Sequence, residues 1–579
     1  MTKITMKTND SIAWEDWEEG TFEKAKKEDK PILLSIGAKW CHWCHVMDST
    51  SFSDPEIIKK INTDFIPIRV DNDRRPDINA RYNMGGWPTT AILTPNGHVL
   101  TGETYINPER MKDILSRLCK LYKENRKAIY SEISKLKAGY KDKELPVSNL
   151  ENSIIPKGLE LISHAFDSRY GGFGNNQKFP QVEVLTFCLK QYYESKNQSL
   201  KGILTKTLEL MGDGGMYDHV EGGFFRYSTT RDWSVPHYEK MLEDNGKLAK
   251  LYLESYHLFK DEKYLKKALD IMGYLSKNLY DKGGGFYGSQ DADENYYKLN
   301  INERKELRSP SIDKTIFTGW NSLAISTYLY AYNLTGNEDY LETSLKVLDT
   351  LRNKAILEGG DLLHHLSDGS VKGILEDQVF FSAALLDAYQ ITGENKYLRD
   401  AILTVDFMVN QLWNDKGAFY DKKDTSDDFG LLKYQQTPFA TNSDAAALLI
   451  DLSILSGKPE YNEYAKKILE FFSSEYAKYG IMGSNYFIAL SKFIKPPLTL
   501  EIVGSKSNVK TQQLLKSSLN LYHPHKLVQL LDPKNETKLI QKKDLSVPKD
   551  PTLYPCIGTK CLKPIVDYKK VNKTLIKDV

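Results

Sequence analysis

Cysteine is scarce, at six residues in a chain of 579, which excludes a secreted disulfide framework. Four of the six fall into two close pairs, Cys41/Cys44 and Cys556/Cys561. The other two, Cys119 and Cys188, lie on apolar helical faces and read as buried and inert. Charge of one sign is equally lacking: 78 Lys+Arg against 77 Asp+Glu leave +1, so no global field favours nucleic acid or an anionic membrane. No apolar run approaches a bilayer span, and the polar stretch Met1 to Ser11 has no apolar h-region. The expectation is a soluble, cytoplasmic protein with no nucleic-acid or membrane partner. A chain this long exceeds one ordinary core, so several domains are expected. Aromatics are plentiful at 11%, with 35 Tyr and 8 Trp, as suits helix cores and polar-ligand clefts.

The strongest chemical signal is Lys39-Trp40-Cys41-His42-Trp43-Cys44-His45-Val46-Met47, directly after the apolar run Pro31 to Ile36. A cysteine at a helix N-terminus gains thiolate character from the macrodipole and the unpaired amides, and a second cysteine one turn later is placed to resolve a mixed disulfide. Around it the patterning predicts a helix over Trp14 to Asp29, strands at 31–36 and 65–71, a strand-bearing segment at 85–93, a turn at Pro95-Asn96-Gly97 followed by a short strand, and helices over Pro55 to Asn62 and from Pro108. This order resembles the thioredoxin fold, whose cis-proline loop corresponds to Trp87-Pro88-Thr89. The letters Cys41-x-x-Cys44-His45 also fit c-type haem attachment, and His42 or His45 would complete a zinc set. The first reading leaves the flanking βαβ pattern without purpose and the second lacks a further CxxC at the usual spacing. No metal or cofactor is assigned.

Beyond residue 150 a repeat of about 60 residues appears. Tyr264-Leu265, Tyr340-Leu341, Tyr397-Leu398 and Tyr461 open helices, with alanine four residues on at Ala268, Ala401 and Ala465. Polar turns such as Thr335-Gly336-Asn337 and Thr392-Gly393-Glu394 precede them. Glycine-aromatic stretches follow, at Gly172-Phe173, Gly223-Phe224, Gly285-Phe286 and Gly417-Ala418-Phe419. Each unit reads as a helical hairpin, and a closed ring lets every hairpin bury both flanks.

Cys-His-Trp-Cys-His-Val-Met, Ser51-Phe52, Val70-Asp71 with Arg74-Arg75-Pro76-Asp77, and Gly85-Gly86-Trp87-Pro88 together resemble the thioredoxin-domain family typified by spermatogenesis-associated protein 20. Further matching stretches are Trp233 to Asn245, Asp291-Ala292-Asp293-Glu294, Trp320-Asn321, Glu376-Asp377 and the final cysteine pair. The resemblance implies an N-terminal thioredoxin-like α/β domain (1–140) and an (α/α)6 toroid (150–495) similar to six-hairpin glycosidases and N-acylglucosamine 2-epimerases, while the pattern from about Pro497, a strand at 498–503, a helix at 509–519 and a strand at 526–531, predicts a small C-terminal α/β appendage (496–579). It places Cys41, Cys44 and Pro88 at a redox site. His237, Glu239, Asp244, Asp291, Asp293, Trp320, Glu376 and Asp377 become candidates for binding a small molecule or sugar, and any single carboxylate among them also suits a helix cap or an ion pair. Cys556 and Cys561 are candidates for a redox relay.

Three functions remain open on these residues. The first is a thiol-disulfide oxidoreductase or redox-regulated protein with a thiol or disulfide partner. The others are a sugar-active epimerase or hydrolase, and a non-catalytic binding or scaffold protein.

Overall fold

The computed structural model describes residues 11–137, 150–151, 153–425 and 428–578; residues 1–10 and 138–149, including most of the polar N-terminal stretch and the end of the expected first domain, lie outside them. Contacts divide the chain into two units. One comprises Met1–Glu144 with Asp291–Asp293 and Asp421–Gln436, and the other comprises the rest.

The first unit is built on strands β1 (Ile32–Gly37), β2 (Ile66–Asp71), β3 (Thr89–Leu93) and β4 (Val99–Glu103). They lie in the order β2-β1-β3-β4, with β1 parallel to β2 and β3 antiparallel to both of its neighbours. Helices α1 (Glu19–Glu28), α2 (His42–Ser49), α3 (Pro55–Asp64), α4 (Pro76–Tyr82) and α5 (Pro108–Lys137) complete a thioredoxin-like fold. The run 32–36 is apolar because β1 is buried on both faces. Ile32, Leu34 and Ile36 pack with Phe22, Tyr82, Leu431 and Leu432, while Leu33 packs with Met47, Ile57 and Leu115 on the other side. Helix α3 starts where Asp54 accepts from the Glu56 and Ile57 amides ahead of Pro55.

The expected helix from Trp14 is corrected at its start: α1 begins only at Glu19, and Glu15 instead bridges Ile68 in parallel. In an extended segment Trp14 and Trp17 reach opposite sides of the sheet, and the two belong to different cores. A helix would have put both on one face.

The second unit contains six helical hairpins. The outer helices are α6 (Ile154–Ala165), α8 (Gln198–Asp213), α10 (Glu262–Tyr274), α14 (Glu338–Lys354), α16 (Asn395–Gln411) and α18 (Glu460–Phe471). The inner helices are α7 (Val182–Ser195), α9 (Leu242–Phe259), α13 (Thr318–Thr335), α15 (Leu375–Thr392), α17 (Phe439–Ser456) and α19 (Ser484–Ile494), with the short α11 (Glu294–Tyr297) and α12 (Ile301–Lys305) between α10 and α13. Each inner helix packs on the next, and α19 packs back on α7, so the ring closes. Inner helices lead into outer ones through tight turns whose first residue is left-handed, at Lys196, Lys260, Gly336, Gly393 and Gly457. The long connections therefore gather at the opposite rim, around the N-termini of the inner helices.

A repeated amide ties each of four such connections to its helix. The fourth residue of α9, α13 and α17 is asparagine, and Asn245, Asn321 and Asn442 accept from the backbone N–H of Phe224, Phe286 and Phe419 at 2.6, 2.7 and 2.7 Å. The same amides donate to the carbonyls of those phenylalanines at 3.0, 2.9 and 2.9 Å. Gln378, fourth in α15, makes the same pair with Leu362 N and Gly360 O, once its amide is oriented to satisfy both.

The C-terminal region adds β5 (Leu498–Val503), α20 (Val509–Leu519), β6 (Lys526–Leu531), α21 (Thr537–Lys542), β7 (Thr552–Ile557), β8 (Lys560–Cys561) and α22 (Val571–Asp578). It closes the ring at the C-terminal ends of the inner helices. His257, Asn333 and Gln390, on α9, α13 and α15, bond the backbone at Asn520, Leu519 and Val528. Among the described residues no helix is long and apolar enough to cross a membrane.

Asn321→Ala strands a buried N–H and a buried C=O at Phe286, at about 1–3 kcal/mol for each group. We expect denaturant unfolding to show a loss of about 2–5 kcal/mol; a change below about 0.5 kcal/mol contradicts the tie's role.

Candidate functional site

The dithiol lies where β1 ends and α2 begins. Cys41 is the N-cap of α2 in extended conformation, and its sulfur accepts from the Cys44 amide at 3.2 Å. Cys41 and Cys44 are joined as a disulfide. The glycine ending β1 makes room for it: a Cβ on Gly37 would stand 3.2 Å from Cys44 Sγ. Trp40 Nε1 donates to Asp73 at 2.6 Å and its ring meets Trp87 edge-on at 5.7 Å. Asp73 is itself placed by Asp71, whose carboxylate accepts from the Asp73 and Arg74 amides. The Trp87–Pro88 peptide is cis, as the loop pattern anticipates. Asp77 is buried, which would raise its pKa, but the bidentate hydrogen bonds from Arg75 at 2.9 and 2.8 Å prevail and hold it below the usual carboxylate range. These contacts assign positioning roles to the Val70 to Asp77 stretch. Asp73, which the motif reading passed over, is the residue that fixes Trp40.

Asp291 and Asp293 belong to this unit, and Asp291 lies 3.8 Å from the His45 ring. The other candidates belong to the ring unit. His237 Nδ1 meets Glu239 Oε2 at 2.5 Å, and its ring stacks on Tyr227, which stacks on the partly exposed Phe179. Asp377 accepts from the Gly319 amide at 2.9 Å and pairs with His364 at 2.7 Å. Trp320 packs on Phe317, with ring centroids 4.6 Å apart.

Asp244 and Glu376 open α9 and α15 beside one carboxylate, Glu243. Burial pushes the Asp244 carboxyl up to about 7, with Glu243 adding to it, and raises Glu376 by the same two causes. Lys247 bridges Glu243 at 2.7 Å and Glu183 at 3.1 Å. Burial works against its ammonium, but the two glutamates outweigh that and hold it protonated. Asp444 on α17 is likewise raised to about 7 by burial, despite two hydrogen bonds from Asn485 at 2.8 Å each. A cavity of about 470 Å³ runs through the ring, and Glu183, Lys247, Asp444 and Asn485 line it with Lys190 and Glu254. Its lining includes none of the residues singled out from sequence. Of the missed residues, Glu183 had a signal: the pair apolar-Glu opens three inner helices, at Val182-Glu183, Leu242-Glu243 and Leu375-Glu376. Among the described residues no cluster of three or more His, Cys, Asp or Glu is placed to hold a metal.

Residues 3–140 match the Thioredox_DsbH family model, described as a protein of unknown function, DUF255. Similarity to human spermatogenesis-associated protein 20 is 26% identity over 97% of this chain and 90% of that protein. The thiol:disulfide interchange protein DsbD of Campylobacter jejuni is 35% identical over 13% of this chain and 14% of its own length. A sugar epimerase from a ruminal bacterium superposes with a TM-score of 0.47 at 17% identity, covering 56% of this chain and 86% of that one. The resemblance read from the motifs thus extends along nearly the whole chain, with a thioredoxin-like domain followed by a helical toroid.

The raised carboxyls carry a pH signature. Their folded pKa lies above the unfolded value, so they are neutral and cost nothing below about pH 4, and their cost is complete above about pH 7. We expect Asp444→Asn to raise the melting temperature at pH 8 and leave it nearly unchanged at pH 4, as read by thermal denaturation. An equal shift at both values contradicts the assignment.

Proposed function

We propose that the chain is a thiol-disulfide oxidoreductase in which Cys41 is the nucleophile and Cys44 the resolving thiol, with Pro88 beside the sulfurs on the edge that receives a substrate chain. The observation that carries this reading is the Cys44 amide aimed at Cys41 Sγ on the first turn of α2. In the reduced protein the same N–H stabilises a Cys41 thiolate, the form that attacks a disulfide. The sulfur of Cys41 bonds to one substrate sulfur and expels the other as a thiolate. Cys44 then attacks Cys41 and releases the substrate dithiol, leaving the Cys41–Cys44 disulfide. An external dithiol regenerates the reduced site.

A second reading, supported by a separate observation, assigns the ring to a sugar-type ligand. Carboxyls with pKa values near neutrality exchange protons at working pH, as general acid-base chemistry on a polyol requires. Asp444, which lines the cavity with Lys247, is the candidate for such a role, and the Phe179–Tyr227–His237 stack is an aromatic face in the same unit. Scaffolding without catalysis is the remaining alternative, and it predicts that serine at both cysteines leaves function unchanged.

Turbidimetric reduction of a model protein disulfide tests the first reading. Cys41→Ser is expected to abolish it and Cys44→Ser to leave a mixed disulfide trapped on Cys41; unchanged turnover in Cys41→Ser contradicts it. For the ring, calorimetry against a monosaccharide and sugar-phosphate panel is expected to show binding that weakens at least about tenfold, or about 1.4 kcal/mol, in Asp444→Asn. No binding across the panel counts against the sugar reading.

A further inference from the structure

Residues 498–578 repeat the topology of the first unit. Their sheet has the order β6-β5-β7-β8, with β5 parallel to β6, β7 antiparallel to β5 and β8 antiparallel to β7. The element order, β5, α20, β6, α21, β7, β8, α22, follows that of β1 through α5 with α3 alone lacking a counterpart. The correspondence holds at single residues. Gly37 is followed four residues on by the N-cap Cys41 and three further by Cys44; Gly504 is followed four residues on by the N-cap Asn508 and three further by Thr511. A Cβ on Gly37 would meet Cys44 Sγ at 3.2 Å, and one on Gly504 would meet Thr511 Oγ1 at 2.6 Å. Pro88-Thr89 opens β3, and Pro551-Thr552 opens β7.

The attacking dithiol is missing from this second module, but a disulfide is present elsewhere on it. Cys556 and Cys561 face each other across the β7–β8 hairpin and are bonded. A structural purpose for this bond is weak. It spans a sequence separation of only five, and the Gly558-Thr559 turn with the Ile557–Lys560 pairing already closes the hairpin, so the bond removes little further freedom from the unfolded chain. The module's core is made by Leu498, Leu500, Ile502, Val528 and Leu553 without either cysteine. Cys561 is exposed on the edge strand while Cys556 is buried, so one sulfur is open to a nucleophile and the other is the leaving group.

We propose that residues 498–578 are a second thioredoxin-type module that has lost its own dithiol, and that its Cys556–Cys561 disulfide is a redox substrate of the Cys41/Cys44 dithiol. This rests on the oxidoreductase reading. Cys41 thiolate attacks Cys561 Sγ, forming a Cys41–Cys561 bond and releasing the Cys556 thiolate. Cys44 then attacks Cys41 and releases Cys561. Two electrons pass to the C-terminal pair, and the two thiol protons of the donor end on Cys556 and Cys561. The external dithiol that reduces the first site supplies both electrons.

Two measurements on the full-length chain test this. In Cys44→Ser, reduced at Cys41 and oxidised at the C-terminal pair, iodoacetamide quenching and non-reducing peptide mass mapping are expected to find Cys41 bonded to Cys561 with Cys556 alkylated. In the Cys41→Ser/Cys44→Ser double variant, dithiothreitol is expected to open Cys556–Cys561 with the melting transition intact, but at least about tenfold more slowly than the reduced wild-type site does. Absence of the Cys41–Cys561 peptide, or opening of the C-terminal bond only in denaturant, overturns the proposal. Parallel turnover of an external protein disulfide by the wild type separates the two failures: if it persists, only the C-terminal assignment falls.

Discussion

Helix N-termini hold the dithiol and a set of first-turn carboxylates. The first turn of a helix carries unpaired N–H groups and the positive end of the macrodipole, and both favour an anion there. In the first unit the group at that position is the Cys41 sulfur, which accepts from the Cys44 amide. In the ring it is a set of carboxylates, Glu183, Glu243, Asp244, Glu376 and Asp377, in the first turns of three inner helices. The same physical device serves a sulfur in one place and a carboxylate rim in another.

Burial decides how differently the two behave. A helix terminus is worth about 0.3–1 kcal/mol, rising to about 2 in favourable geometry. Moving the Asp244 carboxyl from 3.8 to about 7 corresponds to a difference on the order of 4 kcal/mol between its protonation states. Desolvation and the neighbouring Glu243 therefore win at the rim, and Asp244 is poised near neutrality where an exposed N-terminal carboxylate would stay ionised. At Cys41 the sulfur accepts directly from the Cys44 amide.

The fold was largely legible because its constraints are local. The CxxC turn after a doubly buried strand, the glycine turns at Gly336 and Gly393 and the glycine-aromatic loops are short-range signals, and the helices and strands follow them. The two tryptophans at 14 and 17 misled because helical spacing also fits an extended segment whose side chains reach opposite sides of a sheet. The site was less legible. Lys247, Asp444 and Asn485 gain their roles only when helices far apart in sequence converge, and Asp291 and Asp293, which read as cavity carboxylates, belong with the first unit. Cys188 shows the contrary case: an apolar helical face was enough to anticipate burial, which pushes its thiol up to about 12 and leaves it unreactive.

Oxidoreductase chemistry at Cys41 requires that the reduced sulfur be a thiolate at neutral pH. The direct measurement is the alkylation rate of Cys41 in the reduced protein as a function of pH, followed by peptide mass mapping so that Cys44 is scored separately. The account predicts a midpoint at least about one unit below the ordinary thiol value of about 8.5. A midpoint at or above that value would contradict it.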